Sequence, residues 1–108
     1  LLRSALAKAQ VESGDPGELE DALSNLLAAT RSDPTLIEIW RLLTVVYGRL
    51  GRQGELALSQ AEYNLRGGDA KAAEALGKRA LEILPVGSPG SIRAQDIVSE
   101  SERLLKNK

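Results

Sequence analysis

The chain has 108 residues, 14 basic and 15 acidic, for a formal charge of −1. That length supports one modest core, burying roughly 65% of the unfolded surface, and that charge offers no field to steer the chain onto nucleic acid or anionic lipid. Cys, His, Met and Phe are all absent, which excludes a disulfide framework, Ser-His-Asp and Cys-His nucleophiles, and zinc sites built on thiolate or imidazole.

Further classes fall on motif grounds. No apolar run approaches the roughly 20 residues needed to span a bilayer. The run Gly48 to Gly54 lacks both the Lys-Ser/Thr ending and the preceding strand of a phosphate loop. Acidic groups such as Glu18, Glu20 and Asp21 fall at a helix start, where the macrodipole favours them. No catalytic constellation, cofactor site or metal site is therefore expected in this chain. Because it begins at Leu1 without an initiator, it is expected to be a segment of a longer protein.

Taken in order, residues 1–13 place Leu2, Ala5, Leu6 and Ala9 at helical spacing, and Gly14 ends that helix. Asp15, Pro16 and Glu18 form a cap, a first-turn proline and a capping-box acid. They predict a helix over 16–33, with Leu19, Ala22, Leu23, Leu26, Leu27 and Ala29 inward and Pro34 as its stop. Thr35 with Glu38 predicts a second capping box, opening a helix over 36–50. Its apolar surface is broad enough for neighbours on two sides. A fourth helix is expected over 53–66, with Leu56, Ala57, Ala61 and Leu65 inward. Asp69 caps a fifth over 69–84, closed by Pro85, and Ser88 with Pro89 starts a sixth over 89–106. That last helix carries Ile92, Ile97, Val98, Leu104 and Leu105 on its one apolar face and is expected to cap the end of the array.

One spacing organises these elements. Trp40, Leu43, Thr44 and Tyr47 follow the first-helix pattern of the tetratricopeptide (TPR) repeat, with Thr44 where that pattern prefers Gly. The second-helix half occurs twice, as Ala22, Ala29, Pro34 and as Ala73, Ala80, Pro85, with all three matching pairs 51 residues apart. That offset is one and a half times the roughly 34-residue TPR period. The expected fold is thus all-α: a single TPR-like domain, an α-solenoid of about six antiparallel helices with an irregular repeat. The fourth helix would serve as second member of one pair and first member of the next. Trp40, Leu43 and Tyr47 are expected in the core, and Ala22, Ala29, Ala61, Ala73 and Ala80 should let the helices approach closely.

With chemistry excluded, the expected work is non-catalytic protein–protein interaction through a concave groove. Its candidate lining is Glu38, Arg41, Val45 and Arg49 on the third helix, and Glu55, Leu58, Glu62 and Arg66 on the fourth. Arg41 and Arg49 would be the anion contacts. Self-association of an open solenoid end is a further possibility.

The stretch Ala61 to Ile97 resembles the C-terminal TPR region of bacterial periplasmic zinc metalloproteases of the β-barrel assembly-enhancing type. The pieces that carry the resemblance are Ala61-Glu62-Tyr63, Arg66-Gly67-Gly68-Asp69, Lys78-Arg79-Ala80-Leu81, and Gly87-Ser88-Pro89 leading to Arg93-Ala94-Gln95-Asp96-Ile97. Trp40-Arg41-Leu42-Leu43 and Tyr47-Gly48-Arg49-Leu50-Gly51 fit the same region. The resemblance implies an HExxH zinc-peptidase domain N-terminal to this stretch in the parent protein, a periplasmic location, and docking on outer-membrane protein assembly machinery or its clients. Zinc would belong to that domain, not to this chain. A free-standing TPR scaffold or assembly factor, for example in cytochrome maturation, is the alternative. Gly77 and Ser91 stand where that pattern is bulkier, and are expected to loosen the fifth and sixth helices.

Overall fold

The computed structural model describes residues 2–107, apart from the side chains of residues 2–5 and 13. The chain is all-helical: α1 (Leu2–Ser13), α2 (Pro16–Ser32), α3 (Ile37–Leu50), α4 (Gln53–Arg66), α5 (Ala70–Ile83) and α6 (Pro89–Lys106). The expected positions of Leu2 and Ala5 on the α1 stripe lie outside the described side chains.

Local chemistry sets most of the ends. The Asp15 carboxylate accepts from the backbone N–H groups of Gly17 and Glu18 at 2.8 and 3.3 Å, Asp69 from Ala72 at 3.0 Å, and Ser88 Oγ from Ser91 at 3.2 Å. Each satisfies donors that a helix start leaves without an internal partner. The expected capping box at Thr35 does not form. Leu36 occupies the N-cap of α3 with no side-chain bond. Thr35 instead closes a turn on the Asp33 carboxylate through its hydroxyl (2.6 Å) and N–H (3.2 Å), while the Glu38 carboxylate accepts from Arg41. A side-chain acceptor two residues back outcompeted the helix N-terminus for Thr35.

The packing divides the molecule into two three-helix units. Helices α1, α2 and α3 all touch one another, and so do α4, α5 and α6; the units meet where α3 packs on α4. Helix α2 does not reach α4, nor α3 reach α5. The first unit has one continuous core that includes Ala7, Val11, Leu23, Leu26, Ile39, Leu43, Val46 and Tyr47. The second is built on small residues, Ala57, Ala80 and Ala94 in one cluster and Ala61, Ala73 and Ile97 in another, bridged by Leu58.

The 51-residue offset relates α2 to α5, whereas the ends of α1 and α4 align at 54, so no single offset maps one unit on the other. Helix α4 packs on both α3 and α5, as the expected double role requires. Four positions near the ends of α1 and α4 are alike. Ala7, Val11, Gly14 and Asp15 correspond to Ala61, Leu65, Gly68 and Asp69. Ala7 and Ala61 are both fully buried, and Gly14 and Gly68 both adopt the left-handed conformation that ends the helix.

Two expectations about packing change. Trp40 is only half-buried, because its ring lies at the junction of the units with the Arg66 guanidinium 4.4 Å above its centroid. Leu43 and Tyr47 are buried, at 1% and 8% exposure. Gly77 and Ser91 do not loosen α5 against α6. Both are buried, and a Cβ on Gly77 would stand 2.8 Å from Val98 Cγ2. The absence of a side chain is what lets the two helices meet. On α6 the buried stripe is Ser91, Ala94, Ile97, Val98 and Ser101, whereas Ile92 and Leu104 face solvent.

Ser101 gives the first testable consequence. It is fully buried, and its hydroxyl has no hydrogen-bond partner among the described residues. Desolvating a hydroxyl without compensation costs about 1 to 3 kcal/mol. Ser101→Ala is therefore expected to raise stability by about 1 kcal/mol in urea unfolding, with an unchanged m-value.

Candidate functional site

Of the eight groove residues expected from the sequence, four line recesses, and these fall in two places. Arg41, Val45 and Arg49, one helical turn apart, line a groove between α3 and α1 of about 220 Å³, completed by Leu42 and by Lys8, Val11 and Glu12. Arg66 lines a different recess, of about 430 Å³, between α4 and α6 with Pro34, Thr35, Leu65, Arg93 and Glu100. No single concave surface joins them. The reason is the two-unit packing: α3 turns its groove face toward α1, and α4 turns its own toward α6. Leu58, expected on the fourth-helix lining, packs into both clusters of the second core.

The α1/α3 groove has an apolar floor of Val11, Leu42 and Val45 and a rim of Lys8, Arg41, Arg49 and Glu12. Glu38 sits one turn before Arg41 and holds it in a fork, accepting from Nε at 2.9 Å and from Nη2 at 2.5 Å. The hydrogen bond from Arg41 holds the Glu38 carboxyl below its ordinary range, and Glu38 raises Arg41 in turn. Both side chains are about half-exposed, so the pair contributes little to stability. Arg49 donates from Nη1 to the Val11 carbonyl at 2.6 Å, capping the last turn of α1 from the neighbouring helix. A guanidinium carries five N–H donors. Both arginines thus keep donors beyond their intramolecular bonds.

The two arginines that line the α4/α6 recess are engaged within the protein. Glu62, expected to face a groove, is buried at 4% exposure. It receives Arg93 Nε and Nη2 at 2.8 and 2.7 Å on its two oxygens, and Arg66 Nη1. Arg66 also donates from Nε to the Pro34 carbonyl at 2.7 Å, and the Trp40 indole N–H donates to that same oxygen at 3.0 Å. Five residues from α3, α4, α6 and the α2–α3 turn are therefore tied into one latch across the unit boundary. Burial alone would push the Glu62 carboxyl up, but the hydrogen bonds from Arg93 and Arg66, with their charges, outweigh it and hold it below its ordinary 4.5.

The Glu62–Arg66 pair is four residues apart on one helix and is legible in the sequence. Arg93 lies 31 residues from Glu62, and nothing local connects them. The available signal was Glu62 itself, which falls on the same side of α4 as Ala61, Leu58 and Leu65, where a lone carboxylate requires cationic partners.

Among the described residues no cluster of three or more His, Cys, Asp or Glu side chains could hold a metal ion, and no helix is long and apolar enough to cross a membrane. No known protein family, curated protein or solved structure matches the chain.

Proposed function

We propose that the chain is a non-catalytic protein-interaction module, an irregular TPR-like helical array whose α1/α3 groove binds a partner polypeptide. The observation that carries this reading is the contrast between the two recesses. In the α4/α6 recess Arg66 and Arg93 are held by the buried Glu62, whereas the α1/α3 groove combines an apolar floor with Lys8, Glu12, Arg49 and an Arg41 held only by the exposed Glu38. Apolar floors supply affinity, and convergent polar groups fix orientation.

The resemblance of Gly87-Ser88-Pro89 through Arg93-Ala94-Gln95-Asp96-Ile97 supports a narrower reading, in which the module belongs to a periplasmic zinc metalloprotease and docks outer-membrane assembly components. A free-standing assembly scaffold shares every groove argument. An HExxH sequence elsewhere in the same gene product decides between the two.

The groove is tested by affinity capture with the wild-type chain and with Arg41→Glu and Val45→Glu. Arg41 is exposed, so its variant should melt with the wild type; Val45 is partly buried against the first core, so its variant should melt lower and is compared where its circular dichroism shows it folded. Captured partners should fall by about tenfold, the equivalent of about 1.4 kcal/mol of lost contact. Equal capture by all three proteins would remove the groove from the account.

A further inference from the structure

The α4/α6 recess brings together three kinds of surface: the guanidinium groups of Arg66 and Arg93, apolar walls from Pro34 and Leu65, and the Glu100 carboxylate. Arg93 and Glu100 lie two turns apart on one face of α6, roughly 10 Å along its axis. Glu62 fixes the cationic end. Buried at 4% exposure, it draws in Arg93 through Nε and Nη2 and Arg66 through Nη1, so both guanidinium planes are held before any ligand arrives. With the bond from Arg66 Nε to the Pro34 carbonyl, these contacts use two of the five N–H donors on each arginine. Glu62 also cancels only one of the two positive charges. At the other end, Glu100 is 42% exposed, and its ion pair with Arg103 is long, at 3.9 Å, and open to water.

We propose that this recess binds a small dipolar ligand, one carrying a carboxylate and a primary ammonium joined by an aliphatic chain the length of a lysine side chain. The carboxylate accepts from the outer N–H groups of Arg66 and Arg93, the methylenes lie on Pro34 and Leu65, and the ammonium donates to Glu100. The local charges require both ends of the ligand. A plain anion would meet Glu100 uncompensated, and a plain cation would meet the two arginines. Free lysine and the C-terminal lysine of a polypeptide share this chemistry. The second is the better fit, because its α-nitrogen is a neutral amide, whereas free lysine would place an ammonium beside the arginines. The site is separate from the α1/α3 groove and needs nothing from it.

NMR titration of the isotope-labelled chain with ε-aminocaproate, caproate and hexylammonium, in about 0.15 M salt, tests this. Trp40 is the single tryptophan, and its indole N–H shares the Pro34 carbonyl with Arg66 Nε. Its resonance and those of the arginine Nε–H groups therefore report on the recess. ε-Aminocaproate should shift them saturably, with a Kd of about 1 mM, and each singly charged probe should bind about tenfold more weakly. Glu100→Gln, at an exposed side chain, should keep the wild-type melting curve and erase the preference for ε-aminocaproate over caproate. Nα-acetyl-lysine should bind like ε-aminocaproate and more tightly than free lysine. The reverse order would keep the site and assign it to the free amino acid. An absence of saturable shifts up to about 20 mM ε-aminocaproate would overturn the proposal. So would equal binding of the three probes, or a preference that survives Glu100→Gln.

Discussion

Replacing Glu62 with Leu is expected to destabilise the protein by about 3 kcal/mol. The change leaves Arg66 and Arg93 without the carboxylate between them, and removing one partner from a buried ion pair typically costs about 3 to 5 kcal/mol. The lower end applies because Arg93 is 38% exposed and Arg66 22% exposed, so water recovers part of the loss. Adding Arg93→Leu to the same variant should restore some stability, since an apolar pair of similar volume can replace a buried ion pair with little penalty. A double variant less stable than Glu62→Leu alone would show that Arg93 acts independently of the latch.

The same residue fixes the direction of the acid response. The Glu62 carboxyl is held below its ordinary 4.5 in the folded chain. Its contribution is therefore complete above that value and is lost as pH falls below it, because the unfolded chain then binds the proton that the folded chain resists. In denaturant titrations, the stability gap between wild type and Glu62→Leu should be constant from neutral pH down to about 5 and should narrow below 4.5. A gap that widens on acidification would reverse the assignment.

The second large effect lies at Gly77. A Cβ there would meet Val98 Cγ2 at 2.8 Å, with the Ala94 carbonyl at 3.4 Å. The neighbour is a β-branched side chain held to few rotamers, so it cannot turn aside and α6 must move. Gly77→Ala gains about 1 kcal/mol of helix propensity against an overpacking cost of about 1 to 3 kcal/mol. A small net loss is expected. Gly77→Val adds two methyls to the same contact and should cost about 3 kcal/mol in equilibrium unfolding. Gly48 is the control: it is exposed in the last turn of α3, and its Cβ would lie 3.9 Å from Leu56 Cδ1, an ordinary contact. Gly48→Ala should therefore stabilise by about 0.5 to 1 kcal/mol. If both alanine substitutions move the midpoint in the same direction, close approach at Gly77 is not what sets its cost.

These two positions mark where sequence reasoning stopped. Helix punctuation was legible because it is local: Asp15, Asp69 and Ser88 bond to backbone two or three residues away, and Pro34 and Pro85 close helices from immediately beyond them. Thr35 misled because the Asp33 carboxylate and the N–H donors of the α3 start competed for one residue, and spacing alone does not rank them. The absence of a side chain at Gly77 looked like a loss of packing. Whether a glycine loosens or permits a contact depends on what stands across the gap, here Val98 on another helix.

The candidate site divides in the same way. Arg41, Val45 and Arg49 recur every four residues, so their common stripe on α3 follows from helical geometry. Which helix that stripe faces does not follow. The 51-residue offset was visible in Ala22 and Ala73, but an offset does not say which helices share a recess. Contacts between elements carry the correction: α3 lies against α1, and α4 against α6. Glu62 and Arg66 then belong to the latch that joins the units rather than to the open rim.

Site-directed photo-crosslinking tests the central claim most directly. A photoreactive side chain at Val45, in the α1/α3 groove, is compared with one at Thr35, on the margin of the α4/α6 recess, in the presence of the partners captured by the wild-type chain. Adducts formed from position 45 and much weaker ones from position 35 are the expected result. Equal yields from the two positions, or adducts from position 35 alone, would contradict the assignment of binding to the α1/α3 groove.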